Sequence, residues 1–95
     1  MRVRVGVIGV GNMGSAHCKW LENHPQMVLT AVADVIEARR GRWAADPSVQ
    51  VFDSGQALIR SGVCAAVIVA TPHFSHVALA SAALKAGLHV MVEKT

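Results

Sequence analysis

The sequence predicts an α/β domain built on a doubly wound parallel sheet, with five strands in the order 3-2-1-4-5. Three observations predict it. Short, β-branched apolar runs alternate with stretches of helical periodicity. Each helical stretch separates two strands, which makes the connections parallel crossovers, right-handed in nearly all proteins. The first strand also breaks directly into "GVGNMG", the spacing Gly9-x-Gly11-x-x-Gly14, where a helix opens.

The elements follow in order. "VRVGVIG" (Val3 to Gly9) is a strand, nearly continuous in apolar residues at its end, as expected when both faces are covered. A helix starts at Asn12, with Met13, His17, Trp20 and Leu21 as its apolar stripe, and Asn23 to Pro25 end it. "MVLTAVAD" (Met27 to Asp34) is the second strand and closes on an acid. "EARRGRWAA" is a helix weakened by Gly41, and "VQVF" (Val49 to Phe52) a short strand. Ser54 caps the helix "GQALIRSG", with Gly62 at its end. "AAVIVA" (Ala65 to Ala70) is the fourth strand. A loop and an alanine-rich helix from about Ser75 to Gly87 lead to the fifth, "HVMVE" (His89 to Glu93). The sixth strand of a complete dinucleotide fold has no sequence here. Residues 1–95 are therefore expected to be a dinucleotide-binding domain truncated before that strand: either the chain is a fragment of a longer protein or the last strand comes from elsewhere.

Composition sets the class. The chain is 53% hydrophobic and 16% charged, too apolar for disorder and suited to a buried sheet. No apolar stretch approaches the roughly 20 residues of a membrane span, and the basic N-terminus runs into a strand rather than a cleavage site. The net charge of +3 is mild. Arg39, Arg40 and Arg42 read as a solvated helix face; no aromatic stripe accompanies them, so no nucleic-acid partner is expected. Cys18 and Cys64 lack metal-ligand spacing and read as buried free thiols, Cys18 facing the sheet, in keeping with a reducing, cytoplasmic setting.

The glycine spacing alone is a weak signal, but its context sharpens it. It follows a strand and opens a helix, and Asp34 ends the next strand where a dinucleotide fingerprint expects an acid. Gly9 permits a tight turn, Gly11 lets the backbone approach a pyrophosphate, and Gly14 lets helix and strand pack closely. Asn12 and Met13 begin the helix whose positive end faces the diphosphate. Asp34 is placed to accept hydrogen bonds from the adenosine ribose hydroxyls and to repel a 2′-phosphate, which favours NAD. Arg39 and Arg40, one to two turns into the next helix, leave NADP possible.

A second group of residues lies towards the end of the chain: Thr71-Pro72, His76, Ala86-Gly87-Leu88-His89-Val90 and Glu93-Lys94. With "GVGNMGSAH" at the other end, this pattern resembles the Gfo/Idh/MocA oxidoreductases, the group of glucose–fructose oxidoreductase, inositol dehydrogenase and rhizopine-catabolism proteins, across essentially the whole chain. The resemblance implies the N-terminal NAD(P)-binding Rossmann domain of a dehydrogenase acting on a carbinol carbon of a sugar, cyclitol or similar polyol. It implies that Thr71 and Pro72 line the nicotinamide channel, that Glu93 contacts the ribose hydroxyls there, and that Lys94 is catalytic beside the reacting oxygen. An ammonium there would stabilise a developing alkoxide. His76 either contacts the cofactor or starts the helix after the Thr-Pro loop, and His17 packs on the first helix. Two positions depart from the family pattern: His73 stands where asparagine is frequent, and Thr95 where proline is usual. The family's catalytic histidine and its aspartate belong to a second, β-rich domain, which also commonly builds the homo-oligomer interface. Without that domain this chain carries half a site and is not expected to be active alone. The competing reading is a non-catalytic dinucleotide-binding regulatory or redox-sensing module.

Overall fold

The computed structural model describes residues 2–71 and 75–92. It contains β1 (Val3–Ile8), α1 (Asn12–Glu22), β2 (Met27–Ala33), α2 (Glu37–Ala44), β3 (Gln50–Phe52), α3 (Gly55–Arg60), β4 (Ala66–Val69), α4 (His76–Lys85) and β5 (His89–Val92). The strands form one parallel sheet in the order β3-β2-β1-β4-β5. The fold is the predicted doubly wound α/β arrangement.

Two cores sandwich the sheet. On one face, Val5, Val7, Leu29, Val32 and Ile68 meet Cys18 and Leu21 of α1 and Trp43 of α2. On the other, Ile8, Ala31, Ala33, Val67 and Val69 meet Leu58 and Ile59 of α3 and Leu79 and Ala83 of α4. Strand β1 is buried from Val5 to Ile8 because helices cover both its faces, which is why its sequence shows no polar alternation there. Strand β5 is an edge strand, with Met91 and Val92 exposed.

The stripe predicted for α1 is corrected in phase. Leu21 is buried as expected, but Trp20 is 53% exposed and its ring lies against His24. The buried face runs instead through Gly14, Cys18 and Leu21, at i, i+4 and i+7. The physical reason is Gly14: a Cβ built there would overlap the Gly9 carbonyl oxygen, so this residue marks the line of closest approach between helix and strand. That contact sets the helix rotation, and Trp20 is carried outwards.

Register places the functional ends of the strands together. Ile8 pairs with Ala33 of β2 and with Val69 of β4. The residues that follow these three positions, Gly9, Asp34 and Ala70, therefore converge at the carboxyl edge of the sheet. An irregularity in the β1–β2 ladder between Val5 and Gly6 skips Thr30 and brings β2 into this alignment. Thr30 spends its hydroxyl on the Val63 carbonyl, 2.9 Å away.

Both cysteines are free and buried, as expected. Burial pushes the Cys18 thiol up from 9.0 to about 12, with nearby Arg42 opposing the shift and Glu22 adding to it, and burial also raises Cys64. In the unfolded chain both thiols ionise near their ordinary value. Their contribution is thus fully present below pH 9 and fades as pH climbs from 9 towards the folded-state value, because the unfolded state then releases protons that the folded state keeps. The expected outcome is a urea midpoint that falls above pH 9, with a shallower fall in Cys18→Ala.

Candidate functional site

The glycine loop is built from restraints that the sequence motif does not spell out. Gly9 has φ +92°, a left-handed conformation that disfavours side chains, and its N–H donates to the Ala33 carbonyl at 2.7 Å. A Cβ on Gly9 would sit 3.0 Å from Ala70 backbone atoms and from Thr71 Cγ2, so the first glycine and Thr71 stand side by side. Val10 is buried and held at both ends: its N–H donates to Asp34 Oδ2 at 2.9 Å, and its carbonyl accepts from Ser15 Oγ at 2.8 Å. The chain then turns into α1 at Gly11, with no side chain capping the helix and Asn12 and Met13 as its first residues. A helix start of this kind can present its terminal N–H groups to an external acceptor, the arrangement that seats a phosphate at the positive end of a helix.

Asp34 is the electrostatic centre. It is a buried acid, and each carboxylate oxygen accepts one backbone N–H: Oδ2 from Val10, and Oδ1 from Ile36 at 2.8 Å. The second of these is an Asx turn that starts the path into α2. Each oxygen keeps one further acceptor position, enough for two vicinal hydroxyls of a ribose. The fit to a dinucleotide thus rests on two features of this chain: an uncapped helix start over glycines, and a fixed carboxylate beside it.

The arginines are not simply the solvated face expected of them. Arg40 Nη1 donates to the Asp34 carbonyl oxygen at 2.9 Å. Arg39, half exposed, turns towards the loop, with Nη1 3.8 Å from Asp34 Oδ2. Its Nη1, Cζ and Nε would lie 3.3, 3.5 and 3.8 Å from a Cβ on Gly11, so the guanidinium covers the space that Gly11 leaves open. Only Arg42 stays with its own helix, over the Trp43 ring.

At the end of β4, Thr71 Oγ1 accepts from Ser75 Oγ at 2.7 Å, and the Thr71 carbonyl accepts from Nε2 of buried His76 at 2.6 Å. His76 thus begins α4 while holding Thr71 in place. Gly9, Gly11, Gly14, Asp34 and Thr71 come together at one edge of the sheet. Pro72, Glu93 and Lys94 lie outside the described residues, as do His73 and Thr95. Sequence reasoning missed Ser15 and Ser75; each is a small hydroxyl residue just past a motif position, and that adjacency was the available signal. Among the described residues, no group of three His, Cys, Asp or Glu side chains could hold a metal ion, and no helix is long and apolar enough to cross a membrane.

Comparison with known proteins agrees with this geometry. The Gfo/Idh/MocA family model, described as "Oxidoreductase family, NAD-binding Rossmann fold", matches residues 3–94. Inositol 2-dehydrogenase of Rubrobacter xylanophilus is 39% identical over 94 residues, covering 98% of this chain and 27% of that protein. The crystal structure of scyllo-inositol dehydrogenase from Lactobacillus casei, with bound NAD(H) and scyllo-inositol, superposes with a TM-score of 0.91 at 25% identity, over 99% of this chain and 28% of that one. Biliverdin reductase from Synechocystis, in complex with biliverdin and NADP+, gives a TM-score of 0.88 at 32% identity, over 98% of this chain and 29% of that one. The chain therefore spans less than a third of the length of these relatives.

The Gly14 contact makes a direct prediction. Gly14→Ala places a methyl group against the Gly9 carbonyl, where backbone rather than a flexible side chain must yield. Its expected cost is about 1–3 kcal/mol, read as a lower denaturant midpoint, with loss of dinucleotide affinity as α1 moves off the loop.

Proposed function

The chain belongs to the Gfo/Idh/MocA oxidoreductase family, and on that premise we propose that it is the cofactor-binding part of a dehydrogenase acting on a carbinol carbon of a cyclitol, sugar or similar polyol. The observation that carries the proposal is the Asp34 carboxylate, buried and tied to the glycine loop through the Val10 N–H. An acid so fixed supports a dinucleotide with free ribose hydroxyls, because a doubly negative 2′-phosphate would meet its charge at close range. NAD is therefore the favoured cofactor. Similarity to the Rubrobacter and Lactobacillus inositol dehydrogenases supports the polyol class, and the Synechocystis reductase shows that this fold is also found with NADP+.

In this reading the nicotinamide supplies the hydride acceptor or donor. The chain's own residues bind and orient. The uncapped start of α1 holds the diphosphate, Asp34 holds the adenosine ribose, and Thr71, fixed by Ser75 and His76, borders the channel towards the nicotinamide. From the family resemblance, Glu93 contacts the nicotinamide ribose, and the Lys94 ammonium stabilises negative charge on the substrate oxygen as its proton leaves. The base and the substrate pocket come from a second domain, through which the protein is a homo-oligomer, in a reducing, cytoplasmic setting.

Thr95 favours a second reading, a non-catalytic dinucleotide-binding module, because it replaces the proline that would fix the backbone beside Lys94. One experiment separates the two. The full-length protein, with its second domain, is titrated with NADH and NADPH and screened for dehydrogenase turnover across inositols and sugar polyols. The enzyme reading expects tighter NADH binding and turnover with at least one polyol, and a kcat about 100-fold lower in Lys94→Ala. Binding without turnover supports the module; full turnover in Lys94→Ala removes the role given to that lysine.

A further inference from the structure

The position of Arg39 has no place in a simple choice of NAD over NADP. Asp34 alone would turn away a 2′-phosphate, yet a guanidinium stands beside it, 3.8 Å from Oδ2 and laid over Gly11. That separation is too long for a hydrogen bond, so the ion pair does not consume the donor fork. The side chain is half exposed and reaches the loop from the third residue of α2, so it has room to reorient. Arg40 is not equivalent, since its guanidinium is hydrogen bonded to the Asp34 carbonyl, the bond that draws the first turn of α2 to the end of β2.

We propose that Arg39 is a specificity-determining residue that makes cofactor selection graded rather than exclusive. With NAD(H), Asp34 takes the ribose hydroxyls and Arg39 remains a loose counter-charge at the rim. With NADP(H), the Arg39 fork engages the 2′-phosphate and offsets the repulsion from Asp34, so the phosphorylated cofactor is bound more weakly but not rejected. The guanidinium suits this task because it is always charged, planar, and matched to phosphate oxygens two at a time. The inference rests on the dinucleotide reading of the site and concerns only the adenosine end.

The test is fluorescence titration of NADH and NADPH against the protein and its Arg39→Ala, Arg39→Lys and Arg40→Ala variants, each at low and high salt. The expected result for Arg39→Ala is a loss of NADPH affinity of about tenfold or more, with NADH affinity within about threefold of the parent. Arg39→Lys recovers part of the NADPH affinity, and the salt dependence of NADPH binding flattens when Arg39 is lost. Arg40→Ala leaves the NADPH-to-NADH ratio where it was. Equal weakening of both cofactors in Arg39→Ala overturns the proposal, because the guanidinium would then be supporting the loop or the adenine alone. An unchanged ratio, or a parent protein that binds NADH but no NADPH, overturns it as well while leaving the dinucleotide reading standing. A parent protein that binds neither nucleotide brings down both.

Discussion

The site depends on one hydrogen bond, from the Val10 N–H to the Asp34 carboxylate. It joins the end of β2 to the middle of the glycine loop across 24 residues of sequence. A buried carboxyl group needs hydrogen-bond partners, and Asp34 has two backbone donors from two different loops. The Asp34 carboxylate and the glycine loop cannot drift apart without leaving a buried acceptor or a buried N–H unsatisfied.

That hydrogen bond exists because of constraints further down. The register that sets Ile8 beside Ala33 is reached only after β2 gives up one residue, Thr30, from its pairing with β1. The close packing of α1 on β1 requires Gly14 to lack a side chain, and the left-handed turn at Gly9 starts the path towards it. Ser15, one residue later, returns a hydroxyl to the Val10 carbonyl and closes the loop on itself. The loop is thus restrained by its own contacts on both sides.

The nine elements of the described residues were legible in the sequence to within a residue or two, because each is a short buried run or a helix bounded by glycine, proline or a capping residue. Ser54 caps α3 through the Ala57 N–H as its sequence position suggested. Strand order followed from connectivity and handedness. The rotation of α1 was not legible, since apolar periodicity weighs Trp20 as core and assigns no weight to a glycine, whereas packing is governed by the residue that is smallest. Nor was the fate of the arginines. Composition gives three charges on one helix, but which guanidinium reaches back over Gly11 depends on the angle at which α2 leaves β2, and an Asx turn at Asp34 sets that angle.

His76 ties the start of α4 to the loop after β4. The sequence left it between cofactor contact and helix start; the structure gives it a buried position and a short hydrogen bond from Nε2 to the Thr71 carbonyl. A carbonyl can only accept, so Nε2 carries a proton in this contact. Thr71 is restrained on its other side by Ser75, and its methyl group stands where a side chain on Gly9 would intrude. The loop after β4 is therefore registered against the glycine loop after β1 by local bonds on one side and steric exclusion on the other. The loops after β1 and β4 are held to a common frame because these are the adjacent strands at which the winding of the sheet reverses.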